Sequence, residues 1–166
     1  MTLVDIERPA PSHGAATDRI DTRILRVLQQ DGRISNLKLA EAVHLSPTAV
    51  MERVKRLRRD GFILGYQARL NPEKLGRRVA AFVELQLDRA GADVMRRFTE
   101  AVHRCPEILE CHLIAGGFDY LLKVRVADGE PWAAQVDRVV AALPGVRDSR
   151  SYTVMEQVKH GRTIVL

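Results

Sequence analysis

The sequence has few of the residues that build metal centres and no stretch long enough to span a membrane. Only two of its 166 residues are cysteines, Cys105 and Cys111, and they lack C-x-x-C spacing. We therefore expect two ordinary packed thiols and no metal site. No apolar run approaches the roughly 18 residues of a membrane span, so we expect no contact with a membrane. Residues 1–16 carry acidic residues and two prolines where a secretory signal has an apolar stretch, which predicts a cytoplasmic protein.

The sequence also lacks the residue patterns of common enzymes. It has no phosphate-binding glycine loop, and its histidines, cysteines and acidic residues do not form a recognisable nucleophile–base arrangement. We therefore predict no catalytic residues, no cofactor and no enzyme activity. The apolar content of 46% is sufficient for a packed core, so the chain is expected to fold.

Positive charge is what the sequence has in excess, and it is concentrated in one part of the chain. Residues 18–69 contain 11 Lys and Arg against 6 Asp and Glu, whereas residues 70–166 contain 14 against 13. The net charge of +5 therefore resides almost entirely in the first of these two segments. A localised positive field joined to a nearly neutral remainder indicates a polyanion-binding domain.

A capped basic helix is predicted between Ser46 and Gly61. Ser46 is a favourable N-cap, a proline follows at the first helical position, and Gly61 can adopt the left-handed conformation that ends a helix. Val50, Val54 and Leu57 form one narrow apolar stripe. Taken alone, this pattern fits a solvated surface helix as well as a DNA-reading one.

The segment before this helix decides between the two interpretations. One helix is predicted from a cap at Asp18 or Asp21 to about Gln30. A short second helix follows a cap at Ser35 or Asn36 and extends to Val43, and its predicted inward residues are Leu37, Leu39, Ala40 and Val43. A short helix, a tight turn and a capped basic helix form the helix-turn-helix pattern. We therefore predict that the first part of the chain binds double-stranded DNA.

The second half alternates between strand and helix patterns in the order β-α-β-β-α-β. Such an order predicts an α+β, ferredoxin-like sandwich with an antiparallel sheet and two helices on one face. The predicted strands are 79–87, 108–114, 120–126 and 146–158, and the helices begin near Asp93 and Pro131. Phe82, Leu122 and Tyr152 suggest apolar surface on the open face, which we expect a second subunit to cover.

The predicted division of the chain has four parts. Residues 1–17 form a flexible tail, 18–64 a winged helix-turn-helix domain, 65–78 a linker strand or hinge, and 79–166 a second domain. Residues 62–70 are rich in strand-forming side chains, and we interpret them as the wing or as a linking strand.

Several motifs in this order resemble the Lrp/AsnC family of transcription regulators, in particular its leucine-responsive branch. The resemblance extends from Asp18 to Arg162 and rests on these segments: 18–21 (DRID), 31–36 (DGRISN), 45–48 (LSPT), 52–54 (ERV), 61–63 (GFI), 110–113 (ECHL), 116–123 (GGFDYLLK), 143–146 (LPGV) and 152–156 (YTVME). It implies a C-terminal effector-binding domain of the RAM type, homodimers that assemble into octamers or similar discs, and a small amino acid as effector, leucine or another.

The resemblance implies an effector site at the turn after the second strand, with a contribution from the last strand. The corresponding residues here are Leu113, Gly116, Gly117, Phe118, Asp119, Tyr120, Thr153 and Val154. Paired glycines expose N–H groups that suit a carboxylate, and Asp119 suits an ammonium group. The same letters also fit a plain hairpin turn. Gly117 departs from the Asp of many leucine-responsive members, and Ala49-Val50-Met51 departs from the usual Pro-Cys-Leu.

The predicted DNA-contacting residues lie on and around the basic helix. They are Arg33, Ser46, Thr48, Ala49, Glu52, Arg53, Lys55 and Arg56. We expect Thr48 and Arg53 to reach base edges, and Arg33, Lys55 and Arg56 to contact phosphates. Within this set, Glu52 is expected to orient its arginine neighbours, or to pair with Arg56 at i, i+4, rather than to touch DNA. The alternative for the whole protein is a nucleoid-associated architectural protein that binds an amino acid but has little sequence specificity.

Overall fold

The computed structural model describes residues 16–88, 93–159, 161 and 163–166. The chain divides into two compact units, Met1–Arg69 with Gly161–Leu166, and Leu70–His160. The flexible tail predicted at residues 1–17 lies outside the described residues except for its last two positions. Within the described ranges, no helix has both the length and the apolar character that a membrane crossing requires.

The described part of the first unit contains three helices, α1 (Arg19–Gln30), α2 (Asn36–Val43) and α3 (Pro47–Arg59). Each begins where a polar side chain satisfies a free backbone N–H, at Asp18, Ser35 and Ser46. Asp18 and Asp21 form a reciprocal capping box at the start of α1. The turn between α2 and α3 passes through His44, whose φ of 57° is left-handed. The predicted helix-turn-helix is confirmed.

A small apolar core joins the three helices. Its buried members are Ile24, Leu39, Ala40, Val43, Val50 and Leu57. Leu37 is 60% exposed, so its predicted inward position is wrong. The reason is helical geometry, because a residue two positions before Leu39 lies on nearly the opposite side of α2.

The segment after α3 differs from its prediction. Gly61, with φ of 78°, ends the helix, and residues 62–79 contain no strand. The predicted strand is wrong because strand-forming side chains need a hydrogen-bonded neighbour, and no described strand pairs with this segment. Instead the ring of Tyr66 packs over Gly32, where an added Cβ would lie 2.9 Å from the Tyr66 Cδ1 atom.

The end of the chain contacts α1. The side-chain amide of Gln29 donates to the Ile164 carbonyl oxygen (3.1 Å) and accepts from the Ile164 N–H (2.7 Å). Arg26 donates to the carbonyl oxygen of Leu166 through Nε at 3.2 Å. These bonds group residues 161–166 with the first unit.

The second unit has the predicted β-α-β-β-α-β order and the predicted antiparallel sheet. Its elements are β1 (Ala80–Leu87), α4 (Val94–Arg104), β2 (Ile108–Leu113), β3 (Tyr120–Arg125), α5 (Trp132–Ala141) and β4 (Val146–Thr153). The strand order is β2-β3-β1-β4, and every neighbouring pair is antiparallel. β4 ends at Thr153 rather than at the predicted residue 158, because beyond the bond from Val154 N–H to Ala80 O it has passed the end of β1.

One face of this sheet forms the core with the helices. Its buried side chains include Val83, Leu85, Leu122 and Val124, together with Phe98 from α4. The Phe98 and Tyr120 rings pack with centroids 4.7 Å apart. The prediction that Leu122 lies on the open face is wrong, because it pairs with the inward-facing Val83 and is fully buried.

The open face of the sheet is mixed in character. Phe82 and Tyr152 face each other across β1 and β4, with 36% and 49% of their surfaces exposed. Charged side chains continue the same face, among them Glu84, Lys123 and Arg150, since side chains alternate between faces along a strand.

Candidate DNA-binding surface and ligand site

The exposed side of α3 is a continuous stripe along the helix. Thr48, Met51, Glu52 and Lys55 are exposed and recur at i, i+3, i+4 and i+7, so they share one helical face. Arg58 and Arg59 continue this face toward the C-terminal end of the helix and are also exposed. We call these six residues the α3 stripe. The prediction missed Met51, Arg58 and Arg59, although the same spacing counted from Thr48 would have identified them.

Glu52 and Lys55 form an ion pair within the stripe. The Lys55 Nζ atom lies 3.0 Å from Glu52 Oε1, and both side chains are 62% exposed. The predicted partner of Glu52 was Arg56, which is incorrect because Arg56 turns toward α1. An exposed i, i+3 pair contributes little stability, so Lys55 can exchange this partner for a phosphate at small cost.

Arg53 and Arg56 point toward the start of α1. Arg53 Nη1 donates to Asp18 Oδ2 at 2.7 Å and to Asp21 Oδ1 at 2.8 Å. Arg56 Nη2 donates to Asp21 Oδ2. The Arg53 side chain is only 27% exposed and Asp21 is 1% exposed. The predicted base contact by Arg53 requires a guanidinium directed into solvent, and here it is bonded to the neighbouring helix.

The charges in this network influence one another. The pKa of the Asp18 carboxyl is lowered, chiefly by the backbone N–H of Asp21 and then by the Arg53 guanidinium. The pKa of Arg53 is raised by its bonds to Asp18 and Asp21. Both shifts favour the charged forms, so the pair is fully ionised at neutral pH.

The remaining predicted DNA contacts lie close to these elements. Ser46 accepts from the Ala49 N–H at 3.2 Å, so its hydroxyl caps α3. Ala49 is half-buried. Arg33 is exposed in the loop between α1 and α2, where its N–H donates to Asp31 Oδ1 at 2.9 Å. Its guanidinium is thus available for a phosphate contact.

The turn between β2 and β3 is firmly attached to β1. The Asp119 N–H donates to Leu85 O (2.9 Å), and the Asp119 carboxylate accepts from the Leu87 N–H at 2.8 Å. Gln86 Nε2 donates to Gly117 O at 3.2 Å. Asp119, predicted to receive an ammonium group, therefore already accepts a backbone bond that holds the turn.

A shallow polar depression lies beside this turn. Its volume is about 160 Å³, and its lining residues are Glu84, Gln86, Gly117, Phe118, Asp148, Ser149 and Arg150. A guanidinium and two carboxylates therefore surround one small space, which is the combination that a zwitterion requires. The prediction found Gly117 and Phe118 but missed the residues of β1 and β4, because sequence gives no signal for which strands lie next to a turn.

The predicted ligand residues fall into two groups. Leu113, Gly116, Gly117, Phe118 and Asp119 lie at or beside the turn. Tyr120 follows the turn directly, but it is only 9% exposed and its ring packs on Phe98 in the core. Thr153 and Val154 lie toward the opposite end of the sheet.

Strand register gives the separation of the two groups. Tyr120 pairs with Leu85, whereas Thr153 pairs with Ala81, so the two positions are separated by four residues, or about 13 Å, along β1. The Thr153 hydroxyl oxygen is buried and has no hydrogen-bond partner in the described part of the chain. One chain therefore does not bring both groups to a single small ligand.

The two cysteines are half-buried and have free thiols. Burial raises the pKa of the Cys105 and Cys111 thiols, which keeps them protonated at neutral pH. In the ranges that the structure covers, no three His, Cys, Asp or Glu residues group as a metal site would require.

Comparison with known proteins identifies both units. Residues 18–58 match the AsnC-type helix-turn-helix domain, and residues 80–164 match the Lrp/AsnC ligand binding domain. The chain is 50% identical over 153 residues to the leucine-responsive regulatory protein of Escherichia coli strain K12. The aligned region covers 92% of this chain and 93% of the relative. The protein of the same name from Klebsiella pneumoniae matches with the same identity and coverage.

Solved structures agree with this assignment. A transcriptional regulator from Neisseria meningitidis, solved as a complex with L-methionine, aligns with a TM-score of 0.84 and 33% identity over 90% of this chain and 97% of that one. An AsnC family transcriptional regulator from Agrobacterium tumefaciens aligns with a TM-score of 0.82 and 34% identity, over 90% and 97% of the two chains.

Proposed function

The chain belongs to the Lrp/AsnC family of DNA-binding transcription regulators, and from that membership we propose that it controls genes of amino-acid metabolism in response to a small amino acid. The regulator acts on chromosomal DNA in the cytoplasm and is not an enzyme. The observation that carries the DNA-binding part is the α3 stripe, which presents Thr48 and Lys55 outward from a helix-turn-helix in the positively charged part of the chain.

The α3 stripe enters the major groove in this proposal. Thr48 near the N-terminal end of α3 contacts base edges, and Lys55 and Arg33 contact phosphates. A two-fold dimer presents two such helices to half-sites one helical turn, or a multiple of it, apart on the same side of the duplex. Apposed dimers then allow DNA to bend around the assembly.

Gel-shift titration at two salt concentrations tests DNA binding. A fragment from upstream of the protein's own gene is compared with a scrambled fragment of equal composition. We expect preferential retardation of the first fragment and an affinity that falls steeply with salt, because each neutralised phosphate releases counterions. No retardation at low salt contradicts the proposal. Equal retardation of both fragments instead supports the architectural alternative.

The effector is proposed to be an amino acid bound at the turn and its adjoining depression. The Neisseria relative was solved with L-methionine. In our chain Arg150 suits a carboxylate, and Glu84 and Asp148 suit an ammonium group, with the Gly116 and Gly117 backbone close by. Because Thr153 and Val154 lie about 13 Å from this end of the sheet, their proposed participation requires a second copy of the chain.

A thermal-shift screen against the twenty amino acids tests this site. A ligand that binds only the folded state raises the melting temperature. The shift should disappear in Arg150→Ala and persist in Arg138→Ala, a matched loss of an exposed arginine on α5. A shift that survives Arg150→Ala would remove Arg150 from the proposed site, and the absence of any shift contradicts an amino-acid effector.

Assembly is proposed to begin with a dimer and to continue to an octamer or a similar disc. The open sheet face, where Phe82 and Tyr152 remain partly exposed, is the proposed surface for another subunit. Light scattering with size-exclusion chromatography measures the mass with and without the effector. Phe82→Glu should reduce the assembly state. A monomeric wild-type protein at micromolar concentration contradicts this proposal.

A further inference from the structure

The strongest unexplained feature of the first unit is a charge network between α1 and α3. Arg53 and Arg56, one turn apart on α3, converge on Asp21, which is 1% exposed. Arg53 also binds Asp18. A buried carboxylate is unfavourable unless it is paired, so this arrangement needs a structural reason.

Every carboxylate oxygen of the network has a partner. Asp18 Oδ1 accepts from the Asp21 N–H (2.7 Å) and Asp18 Oδ2 from Arg53 (2.7 Å). Asp21 Oδ1 accepts from Arg53 at 2.8 Å, while Asp21 Oδ2 accepts from the Asp18 N–H at 3.1 Å and from Arg56. The capping box that begins α1 is therefore also the attachment point of α3. A fully satisfied network of this kind specifies one geometry.

The position of the two arginines on α3 shows which geometry they control. Val50 and Leu57 bury a narrow stripe against the core, while Thr48 and Lys55 face away from it. At 3.6 residues per turn, Arg53 and Arg56 lie on one flank between these two sides. A narrow apolar stripe allows a helix to rotate about its own axis. Bonds on one flank to a buried carboxylate remove that freedom.

We propose that Asp18, Asp21, Arg53 and Arg56 form a positioning clamp that sets the rotation of α3, and thereby the base sequence that the α3 stripe reads. In this assignment Arg53 is a positioning residue and does not contact DNA. The proposal rests on the proposed DNA-binding function and adds a determinant of its specificity.

The direction in which one substitution changes DNA affinity distinguishes the clamp from a general electrostatic effect. Asp21→Asn removes a negative charge from the DNA-binding unit, which by charge alone strengthens binding to every DNA. The clamp predicts that affinity for a preferred fragment, selected from a random pool with the wild-type protein, falls by about tenfold or more, comparable to the loss of one base-specific contact. Affinity for a scrambled fragment should stay equal or rise.

The matched control is Glu41→Gln, which makes the same charge change at an exposed position of α2. It should leave the ratio of the two affinities unchanged. Stronger binding of Asp21→Asn to both fragments with an unchanged ratio overturns the proposal. If Asp21→Asn fails to fold by circular dichroism, Asp18→Asn takes its place, because the Asp18 side chain is 51% exposed and its loss leaves Asp21 paired.

Salt dependence distinguishes a positioning arginine from a phosphate contact. Lys55→Gln should reduce the slope of log affinity against log salt by about one and keep the sequence preference. Arg53→Gln should leave the slope unchanged and broaden the preference. A reduced slope with unaltered preference in Arg53→Gln assigns Arg53 to a phosphate and overturns its positioning role.

A double-mutant cycle completes the test. Asp21→Asn combined with Arg53→Gln should lower specificity no further than the stronger single variant, because both remove the same clamp. Fully additive losses contradict the clamp. Failure of the wild-type protein to bind any DNA would instead refute the proposed function, so the two failures are distinguishable.

Discussion

In the first unit, helix α3 is held to α1 by charged side chains, whereas in the second unit the turn between β2 and β3 is held to β1 by bonds that each include a main-chain group. The α3 contacts run from arginines to Asp18 and Asp21. The turn contacts run from Leu87 N–H and Gln86 to Asp119 and Gly117. Each α3 contact therefore joins two charged side chains and is sensitive to single neutral substitutions, whereas the turn uses one charged side chain, Asp119, and should tolerate changes in its other exposed side chains.

The apolar core of the first unit is also smaller than that of the second. Among the residues that the structure describes, six buried apolar residues join the helices of the first unit, whereas twelve buried residues form the core of the second. A small core leaves more of the orientation of α3 to polar contacts. Trp132, the single tryptophan, packs against the core of the second unit, so its fluorescence reports on the unfolding of that unit.

The largest expected effect is in the core of the second unit. Phe98→Ala removes a fully buried ring that packs on Tyr120 and should lower the free energy of unfolding by about 3–5 kcal/mol. Urea titration followed by Trp132 fluorescence measures it. Leu109→Ala, at a residue 51% exposed, is the control and should cost less than about 1 kcal/mol. Equal losses in the two variants would contradict the assigned core.

A smaller effect is expected from the charged attachment in the first unit. Asp21→Asn leaves two partly hydrated arginines without their buried partner and should destabilise this unit by roughly 1–3 kcal/mol. The loss should be visible in the helical circular dichroism and absent from the Trp132 signal. Glu52→Gln breaks only an exposed pair and should change stability by less than about 0.5 kcal/mol. A loss in the Trp132 signal would show that the units are not independent.

Acid should weaken both units through carboxylates of lowered pKa. The pKa of Glu110 lies below its ordinary value of 4.5, chiefly because Lys123 donates to it and also because of His112. The pKa of Asp18 lies below 3.8 for the reasons given above. A folded pKa below the unfolded one means that the unfolded state binds more protons. Stability is therefore full above the ordinary values and is lost as the pH falls through the folded ones.

Melting curves recorded between about pH 6 and pH 3 measure this loss. Glu110→Gln should flatten the acid dependence of the Trp132 transition, and Asp18→Asn should flatten that of the helical signal. An unchanged pH profile in either variant would remove that carboxylate from the explanation. Both side chains are substantially exposed, so we expect a modest change in each.

The smallest expected effect on stability is at the turn between β2 and β3, where the effector is proposed to bind. A Cβ at Gly117 meets no atom within 4 Å, so Gly117→Asp should alter stability by less than about 0.5 kcal/mol while it changes the response to amino acids in the thermal-shift screen. Gly145→Ala is the contrast, because Gly145 has φ of 79° and an added Cβ would overlap Val94. Equal stability losses at the two glycines would contradict the geometry of the turn.

Local signals predicted the elements well because their causes are local. A serine one residue before a proline marked the start of α3, and alternating side chains marked β1. The strand predicted after Gly61 failed because pairing depends on a neighbour that sequence does not name. Leu122 was placed on the wrong face because strand register, rather than composition, decides which way a side chain points.

The sites were predicted less completely than the fold. The basic helix was identified, but the inward direction of Arg53 depends on Asp18 and Asp21, which lie more than thirty residues earlier in the chain. The turn was identified through resemblance, but Glu84 and Arg150 join it only through the pairing of β1 with β4. Periodicity and capping rules do not predict contacts between residues that are distant in sequence, and both sites depend on such contacts.

The separation of the two groups of predicted ligand residues has a consequence for stoichiometry. If an effector uses the turn of one chain and the Thr153 end of another, its binding sites lie at interfaces between chains. The number of binding sites then depends on the number of interfaces rather than on the number of chains. A two-fold interface that brings the turn of each chain against the Thr153 end of the other creates two equivalent sites. A head-to-tail interface creates one site, and an isolated chain creates none. Dilution alone would then abolish binding, and the concentration of the protein would be as much a part of the signal as the concentration of the amino acid.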